Sequence, residues 1–153
     1  MRKIFLFVLL SGLSAHARAA EARKAGDLGL GAIVGVPIGG TAKYWITDRV
    51  AGDLAMGVHS GEFHAQWDLL TTLRTALPQP RRGSLPLYVG LGMAVRDEKD
   101  TWVGLRFVGG VSYFLPDDPI EIFAEIAPAL EMTPDAAGDI QGAVGLRYYF
   151  SLR

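Results

Sequence analysis

The chain contains no cysteine. That alone excludes a disulfide framework and a lipidated amino-terminal cysteine. Beyond residue 19 there is no long apolar run, whereas a membrane-spanning helix needs roughly 20 apolar residues. There is also no basic block, no low-complexity stretch and no repeat beyond a short strand-like spacing. The missing basic patch argues against nucleic acid as a partner. Finally, almost nothing after residue 26 repeats with the period of a helix.

What is present begins with "MRKIFLFVLLSGLSAHARAAEARK". Arg2 and Lys3 make a positive start, Ile4 to Leu13 an apolar centre, and Ala17-Arg18-Ala19 places small residues at a cleavage position. These are the parts of a secretory signal peptide, and about ten apolar residues are too few to anchor the chain in a bilayer. The expected organisation is a removed signal over 1–19, a short amino-terminal segment over 20–26 and one domain over 27–153. Loss of 1–19 takes Arg2, Lys3 and Arg18 with it. That leaves 12 basic against all 16 acidic residues, a net charge of −4.

The rest of the chain alternates. Eight period-two segments can be read: Asp27 to Val36, Gly39 to Ile46, Val50 to His59, Glu62 to Thr72, Leu85 to Arg96, Thr101 to Leu115, Ile120 to Met132 and Asp139 to Phe150. The intervals "VPIGG", "TDR", "SG", "ALPQPRRGS", "DEKD", "PDDP" and "TPDAAG" are built from Pro, Gly, Asp and Ser, the residues of turns. Most segments are close to the nine to eleven residues that a tilted strand needs to cross a bilayer. Eight antiparallel strands closed on themselves leave no unpaired edge, the condition for a sheet in lipid.

Each segment has one apolar face without charge. Leu54, Met56 and Val58 oppose Asp53 and His59; Phe63, Ala65, Trp67 and Leu69 oppose His64, Gln66 and Asp68; Val103, Leu105 and Phe107 oppose Arg106; Ile120, Ile122, Ala124 and Ile126 oppose Glu121 and Glu125. In the last segment Ile140, Gly142, Val144, Leu146, Tyr148 and Phe150 oppose Gln141, Ala143, Gly145, Arg147 and Tyr149. A soluble lipocalin-like barrel would show the same alternation with the apolar face inward. Three features favour the inverted arrangement: the export signal, a polar face rich in Gly and Ala and poor in Lys, and aromatic residues near segment ends. Tyr44, Trp45, Trp102, Tyr113, Phe114, Tyr148 and Phe150 are accordingly expected in interfacial girdles. The fold class expected is all-β, an eight-stranded up-and-down antiparallel transmembrane barrel.

The terminal "GLRYYF" resembles the last-strand signal of bacterial outer-membrane barrels, with Gly145, Tyr148 and Phe150 at its spacing. Gly35, Pro37, Gly39 and Lys43-Tyr44-Trp45, with Phe123 to Pro128 and Thr133-Pro134, resemble a family of short bacterial outer-membrane barrels. The resemblance covers nearly the whole chain after the signal. It implies a barrel of the OmpA/OmpX type in the outer membrane and no catalytic residues. The implied partners are outer-membrane lipid and, through the last strand, the barrel-assembly machinery, with the chain acting as a monomer.

Candidate chemistry is sparse. Gly29, Gly31 and Gly35 are spaced loosely like a dinucleotide loop, but the run alternates and continues as a strand, whereas a phosphate loop needs a helix after its glycines. Glycines on the inward face would instead leave room for large lumen side chains. His64 and Asp68 share a face four residues apart, about 13 Å at roughly 3.3 Å per residue, too far for one ion. His59 and Ser60 are adjacent, so their side chains diverge and do not form a nucleophile–base pair. No cofactor, metal or catalytic set is expected. The strongest constellation is a lumen charge network: Lys43, Arg96, Arg106 and Arg147 balanced by Asp53, Asp68, Glu121 and Glu125. A turn at Thr47-Asp48-Arg49 sets Lys43 opposite Asp53, and a hairpin at Ser60-Gly61 sets Asp53 opposite Asp68. Lys43 is therefore expected beside two facing carboxylates. Such a network is either a salt-bridged plug or the lining of a narrow porin-like channel for small solutes or ions.

Overall fold

The structure, a computed structural model, describes residues 23–97, 101–133 and 136–152. The signal peptide read over 1–19 lies outside the described residues, as do Pro134 and most of "DEKD". Alternation dictates what is seen in the rest: eight strands and, among the described residues, no helix. They are β1 (Asp27–Gly35), β2 (Ile38–Trp45), β3 (Val50–His59), β4 (Glu62–Leu73), β5 (Leu87–Asp97), β6 (Trp102–Phe114), β7 (Ile120–Thr133) and β8 (Gly138–Ser151). Each pairs antiparallel with its neighbour in sequence, and β8 pairs with β1 from Asp27↔Ser151 to Gly35↔Ala143, closing the barrel.

Two turns fix the register of the wall where the charges cluster. Ser60 and Gly61 both have positive φ, 54° and 85°, the backbone of a two-residue type I′ hairpin, whose twist matches that of the strands it joins. It aligns His59 with Glu62, Gly57 with His64 and Asp53 with Asp68. The β2–β3 turn aligns Lys43 with Asp53. In that turn the Thr47 hydroxyl accepts hydrogen bonds from the backbone N–H groups of Arg49 and Val50 at 3.2 and 3.0 Å. Both registers are those that the turn lengths imply.

The outward face is apolar. Leu30, Val34, Leu54, Met56, Phe63, Trp67, Leu91, Phe107, Ile122, Ile126, Val144 and Leu146 are all exposed on it. The inward face carries the buried charges, Lys43, Asp53, Asp68, Arg106, Glu121, Glu125 and Arg147, each less than a tenth exposed. The barrel is thus inverted relative to a soluble one.

One expectation needs correction. Tyr44, Tyr148 and Phe150 do face outward, and the Tyr148 and Phe150 rings lie 5.0 Å apart. Trp45, Trp102 and Phe114 do not belong to a girdle; they are buried inside the lumen. Period two requires this. Trp45 is in phase with Lys43, and Trp102 and Phe114 are in phase with Arg106, so each shares the face of its charged neighbour rather than that of the adjacent apolar residue.

Candidate functional site

The lumen side chains assemble around two arginines. Arg147 on β8 stands in register with Glu121 on β7 and donates from Nη1 to its Oε2 at 3.2 Å. Its Nη2 reaches across the barrel to Asp53 on β3, at 2.6 Å from Oδ2 and 2.9 Å from Oδ1. Nε and Nη2 also donate to the Thr41 hydroxyl at 3.1 and 2.8 Å. The guanidinium lies 3.8 Å from the Phe123 ring centroid. That ring rests on the backbone of Gly145, where an added Cβ would come within 2.4 Å of it. Gly145 therefore supports Arg147 by having no side chain.

Glu121 is saturated. Lys43 Nζ donates to Oε1 at 3.1 Å and the Ser112 hydroxyl donates to the same oxygen at 2.5 Å. Tyr149 O–H donates to Oε2 at 2.6 Å, beside Arg147. A fully buried carboxylate survives only with such a set, since each unmatched lone pair would carry a desolvation penalty. Lys43 also lies 4.9 Å from the Tyr88 ring and 5.1 Å from the Trp45 ring.

Arg106 on β6 organises the second group. Its Nε lies 3.0 Å from Asp68 Oδ1 and its Nη2 3.1 Å from Glu125 Oε1. Nη1 donates to the side-chain oxygens of Gln141, at 2.7 Å, and Gln66. Tyr88 O–H donates to Glu125 Oε2 at 3.0 Å. Asp68 and Arg106 belong to strands separated by β5, and the residue between them in register is Gly92. A Cβ there would sit 2.1 Å from Asp68 Oδ1. The ion pair passes over a gap that only glycine leaves.

The sequence-derived network is thus inside the barrel, but its pairing differs in two respects. Lys43 does stand opposite Asp53, and Asp53 opposite Asp68. Lys43 nevertheless bonds to Glu121, while Asp53 is held by Arg147 and Asp68 by Arg106. Lys43 and Arg147 cross the lumen to Glu121 and Asp53 on distant strands, whereas Arg147–Glu121 and Arg106 with Glu125 and Asp68 join adjacent or next-but-one strands. Arg96 is not in the central network. It lies at the mouth, 3.8 Å from Asp139 Oδ2 and 4.9 Å from the Trp102 ring. Of the neutral partners, Gln66, Gln141 and Tyr149 lie on the polar face that the alternation assigns, and the structure adds Thr41, Tyr88 and Ser112. Their signal was their phase, since each sits an even number of residues from a lumen charge on its own strand.

His64 makes a 3.2 Å hydrogen bond to Gln66 through Nε2, and its ring meets that of His59 edge-on at 6.4 Å. Among the described residues no group of three or more His, Asp or Glu is arranged to hold a metal ion. Gly29 and Gly31 are extended residues of β1, paired to both β2 and β8.

Buried apolar side chains cluster toward both ends of the lumen. At the end where the described chain begins and ends, Trp45, Phe114, Tyr149 and Ala51 pack together. Arg23 lies over this cluster, 4.5 Å from the Tyr149 ring and 5.2 Å from that of Phe114. The segment carrying it is tied by hydrogen bonds from Gly26 N to Trp45 O at 2.8 Å and from Ala25 N to Asp48 Oδ1 at 3.2 Å. At the other end Trp102 packs with Ala94 and Ala129 below Arg96. The lumen ion pairs lie between the Trp45, Phe114 and Tyr149 cluster at one end and Trp102 at the other.

No protein-family model matches the chain, and neither does any curated sequence. Among solved structures, it is similar to the amino-terminal β-barrel domain of Pseudomonas aeruginosa OprF, at 14% identity and a TM-score of 0.62, over 84% of this chain and 100% of that one. The chain therefore has the fold of an OmpA-like eight-stranded antiparallel β-barrel.

Proposed function

We propose that this protein is a small outer-membrane barrel with a closed, salt-bridged lumen, and that its role is structural or interactive rather than transport or catalysis. The observation that carries this reading is the inversion of the barrel. Large apolar side chains cover the outside, and ion pairs occupy the inside between an aromatic cluster at one end and Trp102 at the other. Exposing that outside to water would leave an apolar surface far larger than soluble monomers tolerate. Lipid is the solvent that suits it. The likeness to a barrel domain of a Pseudomonas protein and the signal-like amino terminus agree with an outer-membrane address. The last strand offers Gly145, Tyr148 and Phe150 as the assembly signal, with both aromatic rings on the outer face.

Two measurements test the reading. The mature chain should fractionate with outer membranes and resist extraction by salt. Reconstituted in planar bilayers, it should show no sustained conductance. A steady single-channel current would replace the plug with the narrow-channel reading. A detergent-free soluble monomer after export would reject the membrane barrel.

A further inference from the structure

We propose that the β4–β5 connection, residues 74–86, docks the headgroup of an anionic phospholipid in the leaflet surrounding the end of the barrel where the described chain begins and ends. The inference rests on the membrane reading above. Thirteen residues separate β4 from β5, whereas the other connections run from two to five. Long connections in such barrels normally lie at the opposite end from the termini. A long loop at this end is a departure that asks for a use.

The loop is built. The Gln79 amide donates to the carbonyls of Arg74, Leu77 and Leu85 at 3.0 to 3.1 Å and accepts from Leu85 N at 2.9 Å. Ser84 then pairs with Phe114 and extends β6. Gly83, at φ 74°, lies so close to the Tyr113 ring and the Phe114 carbonyl that a Cβ would come within 2.9 Å of both. Tyr113 O–H donates to Arg82 O at 3.4 Å. Tyr113 is in phase with the outward Phe107, so the loop folds against the lipid-facing rim instead of under the lumen. This places Arg81 and Arg82 beside an interfacial tyrosine, with their side chains exposed. Arg82 pairs with Asp117 at 3.5 Å, but both are about three-quarters exposed. A pair so exposed is weak and leaves the guanidinium able to exchange partners. Asp118 lies in the same neighbouring turn. Guanidinium groups bind phosphate through two parallel hydrogen bonds, and a headgroup phosphate lies at this depth. A preformed loop presents them without a large ordering cost.

The chain carries its own reporter. Of its three tryptophans, Trp45 and Trp102 are buried in the lumen and Trp67 alone faces outward. Trp67 lies on β4, seven residues before the loop begins. The protein is folded into phosphatidylcholine vesicles containing a minority of phosphatidylglycerol, and bromine is placed on the acyl chains of one lipid at a time. With brominated phosphatidylcholine, Trp67 fluorescence should be quenched in wild type and in R81Q/R82Q alike, which shows both barrels folded in the bilayer. Absence of this quenching would overturn the membrane reading itself. With brominated phosphatidylglycerol, wild type should be quenched as if that lipid were enriched roughly fivefold near the loop, the scale of one arginine–anionic-lipid contact. R81Q/R82Q should fall to the bulk ratio, and R81K/R82K, which keeps both charges, should retain part of the preference. Equal quenching by phosphatidylglycerol in wild type and R81Q/R82Q would overturn the headgroup site while leaving the barrel in place.

Discussion

Arg147 Nη2 and Asp53 Oδ2 are 2.6 Å apart, although one residue is on β8 and the other on β3, with β1 and β2 between them along the wall. The pair spans the lumen and ties opposite walls together, with Glu121 on the same guanidinium. Arg147→Met would leave Asp53 buried without its main partner and take one of two cations from Glu121. A loss of about 3–5 kcal/mol is expected, the scale for breaking a buried ion pair from one side. Urea titration of the barrel folded in vesicles measures it; a loss below about 1 kcal/mol would mean that water already screens the pair.

Lys43 tests whether wall register or lumen geometry decides coupling. It is the in-register neighbour of Asp53 but the hydrogen-bonding partner of Glu121. In double-mutant cycles, Lys43→Met should couple to Glu121→Gln by roughly 0.5–3 kcal/mol, as contacting residues do. Its coupling to Asp53→Asn should be clearly smaller. The reverse order would show that the side chains lie along the wall.

Two glycines on neighbouring strands should respond oppositely to one methyl group. At Gly92 a Cβ would overlap Asp68 Oδ1 and the Trp67 carbonyl, both at 2.1 Å. Backbone cannot yield cheaply, so Gly92→Ala should cost about 1–3 kcal/mol or more. At Gly109, on the outward face of β6, nothing lies within 4 Å of the added atom. Gly109→Ala should be tolerated within about 0.5 kcal/mol. Parallel unfolding curves of the two variants decide the matter.

The outer surface distinguishes lipid from water. Ile126 is exposed at the middle of β7. In a bilayer, Ile126→Arg near mid-depth should cost roughly 2–4 kcal/mol. On a water-facing surface the same change would be nearly neutral or would improve solubility. Folding yield into vesicles, compared with yield in detergent-free buffer, separates the two.

Orientation is open to chemical labelling because the chain has no native cysteine. Ser60, in the β3–β4 hairpin, and Arg82, in the β4–β5 loop, are both exposed and lie at opposite ends of the barrel. With the termini inside the cell envelope, Ser60→Cys should react with an impermeant maleimide on intact cells. Arg82→Cys should react only after the outer membrane is opened. The opposite pattern would invert the barrel.

Sequence by itself determined the strands, their faces and the two registers around Asp53, because all three are local. Period two assigns each side chain to one face, and a turn of known length aligns the residues on either side of it. Phase also sorts the aromatics where position along the strand misleads: nearness to strand ends puts Trp45, Trp102 and Phe114 in a girdle, and phase puts them in the lumen, where they lie. The lumen members Arg106, Glu125 and Asp68 were legible as charges on the inner face. Which cation meets which carboxylate was decided by tertiary structure alone. Closure between β8 and β1 brings Arg147 across to Asp53, and the reach of Lys43 to Glu121 depends on how Tyr88, Trp45 and Phe123 fill the space around them. Within an eight-stranded lumen every inward side chain is near several others, so distance along the wall no longer ranks the partners. Desolvation does, by favouring the arrangement in which each buried charge meets the most donors or acceptors.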